Sequence, residues 1–317
     1  MRFTSTRALA LAGAVALLAG ACSGGSAATT APTTAPTAAA SAAPSSAPSA
    51  AASAAASAAA STAPSAAALA APDRIKTAGK LVFCSDISYA PEEFYAADGT
   101  TAQGSDIDIA NQIGKYWGVS VEIDNTSFDS IILALTSNKC DLIISGMNDT
   151  PDREQQVDFV DYLKVGQGLL VPAGNPKGIH TLEDLSGKSV AVQKGTTNYD
   201  ALVAENKTLQ AAGKAQIDIQ VFTQDTNAFQ QLALGRVDAY STDSPVVAYY
   251  NSLPENAGKF EIGGTPIAPA PIGIAMRKDD TGMKAAVQAA VDQMYADGSL
   301  KAILAKWGMT DAVVMLK

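Results

Sequence analysis

The sequence predicts an α/β fold in two units, each a mostly parallel sheet flanked by helices. Three observations predict it. From Leu81 onward, short apolar runs alternate with segments of helical period. The alternation starts afresh after Val171-Pro-Ala-Gly-Asn-Pro176. The 245 residues from Asp73 to Lys317 are enough for two such units.

The chain begins with a basic head (Arg2, Arg7), an apolar segment from Ala8 to Ala19, and small residues before Cys22. That is the pattern of a secretory leader, too short to span a bilayer as a permanent helix. A Cys directly after Ala19-Gly-Ala resembles a bacterial lipobox, with Ala19 where Leu is preferred. Residues 1–21 are therefore expected to be removed, and Cys22 to carry lipid. Ordinary cleavage nearby, with Cys22 unmodified, is the alternative. Residues 23–72 hold only Ser, Gly, Ala, Thr, Pro and Leu69. Such a segment cannot bury a core and is expected to be a disordered tether spanning on the order of 40 Å.

In the first unit, Leu81–Cys84 predicts a strand and Ile107–Trp117 a helix with Ile109, Ile113 and Trp117 on one face. Val119–Ile123 alternates as a strand, Ser130–Ser137 reads as a helix, and Asp141–Ser145 as a strand. In the second unit, Thr181–Leu185 is a short capped helix and Ser189–Gln193 a strand leading through Lys194-Gly-Thr-Thr-Asn198 into a helix. Ile217–Phe222 and Val237–Tyr240 read as strands around a helix at Thr226–Leu234. Ile272–Met276 is a further strand, and the helices Thr281–Ala296 and Ser299–Trp307 close the chain. In sheets of this kind, ligands sit at the carboxyl ends of strands.

Composition removes several classes of function. The chain carries 31 acidic and 22 basic residues, and loss of Arg2 and Arg7 takes the net charge from −9 to about −11. There is no basic cluster, so no nucleic-acid partner is expected. His180 is the single histidine. No metal, no cofactor and no His-based triad is therefore expected. Outside the cytoplasm Cys84 and Cys140 pair if their strands are neighbours; otherwise they are two small buried hydrophobes.

The run Ser145-Gly-Met-Asn-Asp-Thr-Pro-Asp-Arg153 is the most informative stretch. An apolar strand ends in small polar residues, and a Thr-Pro turn opens a helix with an arginine in its first turn. The run gathers amides, a hydroxyl and a guanidinium fork, which suits a small carboxylate. The plain alternative is a helix start in which Thr150 caps, Pro151 takes the first position and Arg153 is solvated.

Seven segments stand in order along the chain: Ser85–Pro91, Gly104–Ile109, Phe128–Ile132, Ser145–Arg153, Val192–Asn198, Gly235–Ala239 with Asp243, and Gly298–Leu300 with Lys306–Gly308. By these, residues 74–308 resemble the bacterial extracellular solute-binding proteins of family 3, lipoproteins that serve polar amino-acid ABC transporters. Ser105 replaces the family's usual aromatic, Glu92 stands where Phe or Met is frequent, and Asn148 where Thr or Ser is common. The resemblance implies the two-lobe, type II periplasmic-binding-protein fold, with lobe one at 73–166 and 267–317 and lobe two at 167–266. The crossings would fall near Leu163–Gln167 and Ile267–Pro271. It also implies a monomer that delivers a free amino acid to a membrane permease and is not an enzyme.

A free amino acid is a zwitterion, and a site excluding water must satisfy both charges. On the resemblance, Arg153 takes the α-carboxylate, with Asn148 and the turn holding Thr196 and Thr197 adding donors. Asp243 takes the α-ammonium with Ser145 and the Gly146 carbonyl; its alternative role is an N-cap for the following helix. Asp86, Tyr89 and Phe128 shape the side-chain pocket, although a Phe at 128 also fits plain core packing. Asp86 with Glu92 makes that pocket acidic, favouring arginine, lysine, ornithine or histidine, with glutamine next. Asp106 and Asp108 read as structural carboxylates at a helix start. The competing functions are a cyclohexadienyl-type dehydratase with Glu92 as general acid, and a sensory ligand-binding module.

Overall fold

The computed structural model describes residues 69–317, apart from residues 268 and 279. The expected leader, Cys22 and all but the last four residues of the tether lie outside the described residues. Among the described residues, no helix is long and apolar enough to cross a membrane.

The described chain opens with α1 (Asp73–Ala78), β1 (Lys80–Ser85) and three short strands, β2 (Ser88–Tyr89), β3 (Glu93–Tyr95) and β4 (Ala102–Gln103). Then come α2 (Ser105–Trp117), β5 (Ser120–Asn125), α3 (Ile131–Thr136), β6 (Leu142–Ile143), α4 (Pro151–Glu154) and β7 (Val157–Val165). The second half of the alternation is β8 (Gln167–Pro172), β9 (Ser189–Gln193), α5 (Thr197–Ala211), β10 (Asp218–Phe222), α6 (Asp225–Ala233), β11 (Ala239–Asp243), α7 (Ser244–Ser252) and β12 (Phe260–Ile262). The chain ends in β13 (Ala270–Arg277), α8 (Thr281–Ala296), α9 (Ser299–Lys306) and β14 (Val313–Met315).

Two lobes result. One sheet runs β14-β7-β13-β6-β1-β5 and the other β10-β9-β11-β8-β12, while β2, β3 and β4 form a small third sheet. The chain leaves the first sheet between β7 and β8 and returns to it at β13. Both sheets are mixed rather than mostly parallel. Parallel pairing is confined to β5-β1-β6 and β10-β9-β11. The antiparallel pairs are β7 with β13 and β14, β13 with β6, and β8 with β11 and β12. The physical reason is the double crossing. β7 leads straight into β8 without a crossover helix, and the returning β13 runs against β7 along eight residue pairs, so neither can be parallel to its neighbour.

Each sheet is covered on both faces. In lobe one, Ile109, Ile113 and Trp117 of α2 and Val287, Val291 and Met294 of α8 pack on one face. Ile131 and Leu135 of α3 pack on the other, beside Cys84 and Cys140. Those two cysteines form a disulfide across 56 residues. It becomes possible because β1 pairs with β6 and Cys140 lies just before β6. In lobe two, α6 and α7 supply Leu232, Val246 and Tyr250 to one face, and Leu202 and Leu209 of α5 cover the other. Helix ends follow the local code. Thr150 accepts from the Arg153 amide, Thr196 from Tyr199 and Asp280 from Met283, while Gly118 stops α2 at φ +66.

Candidate ligand-binding site between the lobes

The carboxyl ends of β1 and β6 in one lobe and β9 and β11 in the other converge on one cavity between the lobes, where ligands of such sheets sit. Ten of the candidates named from the sequence line it: Asp86, Tyr89, Phe128, Ser145, Gly146, Asn148 and Arg153 from lobe one, and Thr196, Thr197 and Asp243 from lobe two. Glu93, Gln193 and Asn198 line it as well.

Arg153 stands in the first turn of α4, as its sequence predicts, and Thr150 does cap that helix. Its guanidinium is nevertheless turned into the cleft. Nη1 donates to the Asn148 carbonyl at 2.8 Å, Nη2 to the Gly195 carbonyl at 3.1 Å, and the group lies 5.3 Å over the Phe128 ring. Phe128 thus stacks on Arg153 from within the cavity wall. Burial presses the guanidinium pKa down, and Asp243 opposes the shift.

Asp243 occupies the N-cap position of α7, yet its side chain makes no capping bond. Instead Oδ1 accepts from Asn198 Nδ2 at 2.8 Å and Oδ2 from the Tyr89 hydroxyl at 2.8 Å. Burial raises its pKa, while those bonds and Arg153 lower it. Asn198 is 4% exposed, and its Oδ1 has no protein partner.

The lobes meet through polar contacts. Tyr89 reaches Asp243, Gln193 Nε2 donates to Asp86 Oδ2 at 2.9 Å, and Thr197 Oγ1 donates to Asn148 Oδ1 at 2.7 Å. Ser88 Oγ accepts from the Asp225 amide at 3.1 Å, and Lys194 pairs with Asp129 at 2.8 Å. Thr196 caps α5, so the amino end of a 15-residue helix faces the cavity and favours an anion there.

Asp86 lines the cavity, where its carboxylate accepts from Ser88 Oγ, the Phe128 amide and Gln193 Nε2. One expectation changes. Glu92 was placed in the pocket and as the dehydratase acid; it is buried but does not line the cavity, whereas Glu93 does. The reason is local: Glu92 lies in the turn before β3, whereas Glu93 is the first residue of that strand. Ser145 donates to Glu93 Oε1 at 2.8 Å, and burial, then the charges of Asp106 and Asp243, raise the Glu92 pKa well above its usual value. Asp108 is structural as expected, accepting from Trp307 and Lys306. Asp106 does more than favour a helix dipole: it is fully buried and holds the Gly146 amide at 2.8 Å and the Tyr162 hydroxyl at 2.7 Å. Burial raises its pKa to about 6. Gly146 is required where it stands, because its φ is +52 and an added Cβ would lie 2.8 Å from the Tyr89 ring.

The residues missed, Glu93, Gln193 and Asn198, each adjoin or sit within a motif quoted from the sequence. Period-two alternation from Tyr89 gives no signal for Glu93, because a turn intervenes.

Known proteins agree with this arrangement. The L-cystine-binding protein TcyJ of Escherichia coli (strain K12) is 29% identical over 236 residues, which cover 74% of this chain and 85% of that protein. An ancestral arginine-binding protein, solved with arginine bound, superposes with a TM-score of 0.66 at 37% identity, covering 72% of this chain and 98% of that one. The ancestral amino-acid-binding protein AncCDT-1, a precursor of cyclohexadienyl dehydratase, gives 0.66 at 36% identity, covering 74% and 98%. Residues 81–310, which hold every residue lining the cavity, match one family model. The chain belongs to the bacterial extracellular solute-binding proteins, family 3.

Proposed function

We propose that this protein captures a polar amino acid outside the cytoplasm and delivers it to the permease of an ABC importer. The observation that carries the reading is that Arg153 and Asp243, opposite charges on opposite lobes, line one cavity. Arg153 and the amino end of α5 receive the α-carboxylate, and Asp243 with Asn198 receives the α-ammonium. A basic amino acid is favoured and glutamine comes next. Six carboxyls in and around the cleft (Asp86, Glu92, Glu93, Asp106, Asp225 and Asp243) are all buried, against Arg153 as the one cationic side chain lining the cavity among the described residues. The relatives' printed ligands, arginine and cystine, are polar amino acids.

The lobes would comprise 73–166 with 267–317, and 167–266. Capture would proceed by closure about the two crossings, which shifts the population toward the closed form. Cys22 would carry the lipid, and residues 23–72 would hold a monomeric binding domain off the membrane. Labelling with a clickable fatty acid tests the anchor, and loss of label in Cys22→Ser is the expected result. A thermal-shift screen with the twenty amino acids, ornithine and citrulline tests the ligand class. A tight ligand raises the apparent melting temperature by mass action. No shift with any amino acid would overturn the reading. Incubation with prephenate or arogenate checks for dehydratase turnover, and none is expected.

A further inference from the structure

We propose that Ser244 is a positioning residue for ligand retention: its hydroxyl clasps the C-terminal strand β14 to lobe two across the hinge, and so sets how long the lobes stay closed. The inference rests on the amino-acid-binding reading and names a part of the molecule outside the cavity that governs release.

The two segments that cross between the lobes touch. Val165, at the end of β7, lies between Ala270 of β13 and Val313 of β14. Gly166 follows, and a Cβ added to it would lie 2.7 Å from the Ile267 carbonyl of the returning segment. The Ile267 amide donates to the Gln167 carbonyl at 2.8 Å. β14 is a third segment at this level, and it is tied to lobe one. It pairs with Leu163–Val165 of β7, the Leu316 amide donates to the Tyr295 hydroxyl at 2.9 Å, and Lys317 pairs with Asp292. Met309, just before the strand, is buried in the lobe-one core.

Lobe two meets this segment through Ser244, the first residue of α7. Ser244 Oγ donates to the Ala312 carbonyl at 2.9 Å and accepts from the Gly166 amide at 3.2 Å, while the Ser244 amide donates to the Gly166 carbonyl at 2.6 Å. Among the described residues, no other hydrogen bond joins residues 309–317 to lobe two. Elsewhere the two sides border a surface groove, which Ser244, Ala248 and Ile262 share with Ala312, Val313 and Val314. One hydroxyl therefore ties crossing, strand and helix together. Turning lobe two about the crossings moves Ser244 against a strand fixed to lobe one, and lengthening the contact to Ala312 by about 0.7 Å is enough to lose it. The clasp thus belongs to the closed arrangement. It also adjoins Asp243, which pairs with Gln167 between β11 and β8 and lines the cavity. Loosening Ser244 shifts the carboxylate placed against the α-ammonium.

The test is stopped-flow measurement of association and release, with arginine and glutamine as ligands and the full chain as wild type, Ser244→Ala and Ser252→Ala. Ser252, at the other end of α7, also donates to a carbonyl, that of Tyr249 at 2.8 Å. Ser244→Ala should release ligand about three- to tenfold faster. Its association should stay within about twofold of the wild type, because ligand enters the open form. Ser252→Ala should match the wild type in both rates. Tyr295→Phe unties the tail of β14 and should also speed release, by less in the Ser244→Ala background than alone. A wild-type release rate in Ser244→Ala would overturn the inference, even with a lowered melting temperature, since the bond would then serve the fold and not the hinge. Full additivity with Tyr295→Phe would overturn it too. If the wild type binds neither amino acid, the ligand reading falls, and small-angle scattering of the empty protein decides the clasp. Ser244→Ala should then show the larger radius of gyration, and an equal radius would overturn the inference.

Discussion

Replacing Arg153 by Ala should remove ligand binding while leaving the fold in place. The guanidinium has five N–H donors. Asn148 and Gly195 carbonyls take one each, at 2.8 and 3.1 Å. Three remain for a carboxylate, enough for a two-pronged contact. Two charge-assisted hydrogen bonds at roughly 1.5–3 kcal/mol each come to about 3–6 kcal/mol, or about two to four powers of ten in Kd. The unliganded protein loses less. It forfeits two bonds to carbonyls and the stacking on Phe128 but recovers the cost of burying the cation, a net loss of about 1–2 kcal/mol, or a fall of about 2–8 °C in melting temperature. The α4 cap is untouched because Thr150 makes it. Calorimetry against the preferred amino acid, with thermal unfolding of the empty protein as control, separates the two effects. Arg153→Lys keeps the charge and loses the fork, so it should fall between the two. If Arg153→Ala binds within threefold of the wild type, the carboxylate is held elsewhere and the charge-clasp argument fails.

Further outcomes follow from single residues. Asp225 is buried against Tyr240 and Thr242, and burial raises its pKa to about 8. The folded chain therefore holds this proton between about pH 4 and 8 when the unfolded chain does not, and stability falls as pH rises through that window, by up to about 1.4 kcal/mol per unit. Urea midpoints measured at pH 5 and pH 8 should differ in that direction, and by less in Asp225→Asn. Replacing both Cys84 and Cys140 by Ser opens a loop of 56 residues and should cost about 4 kcal/mol, read as a fall on the order of 10 °C in melting temperature; an unchanged transition would refute the disulfide's role. Gly146→Ala puts a methyl 2.8 Å from the Tyr89 ring at φ +52. It should push Tyr89 off Asp243 and weaken ligand binding at least about tenfold, at a stability cost of about 1–3 kcal/mol.

The sequence by itself determined the main element types, the restart after Pro176 and most of the residues that line the cavity. Those properties are local. A Thr-Pro-Asp-Arg helix start, a Gly-Thr-Thr turn and alternating apolar strands are dictated by caps, turns and periodicity within a few residues. Tertiary structure decided the rest, because it concerned direction and pairing. Only the packed strands show that Cys140 meets Cys84, that β7 and β13 run antiparallel, and that Asp243 turns from its helix toward Tyr89 and Asn198. Only the folded chain separates Glu92 from Glu93 as well. Neighbours of identical chemistry fall on either side of the start of β3, and which of them reaches the cavity depends on a turn whose geometry no local pattern in the chain encodes.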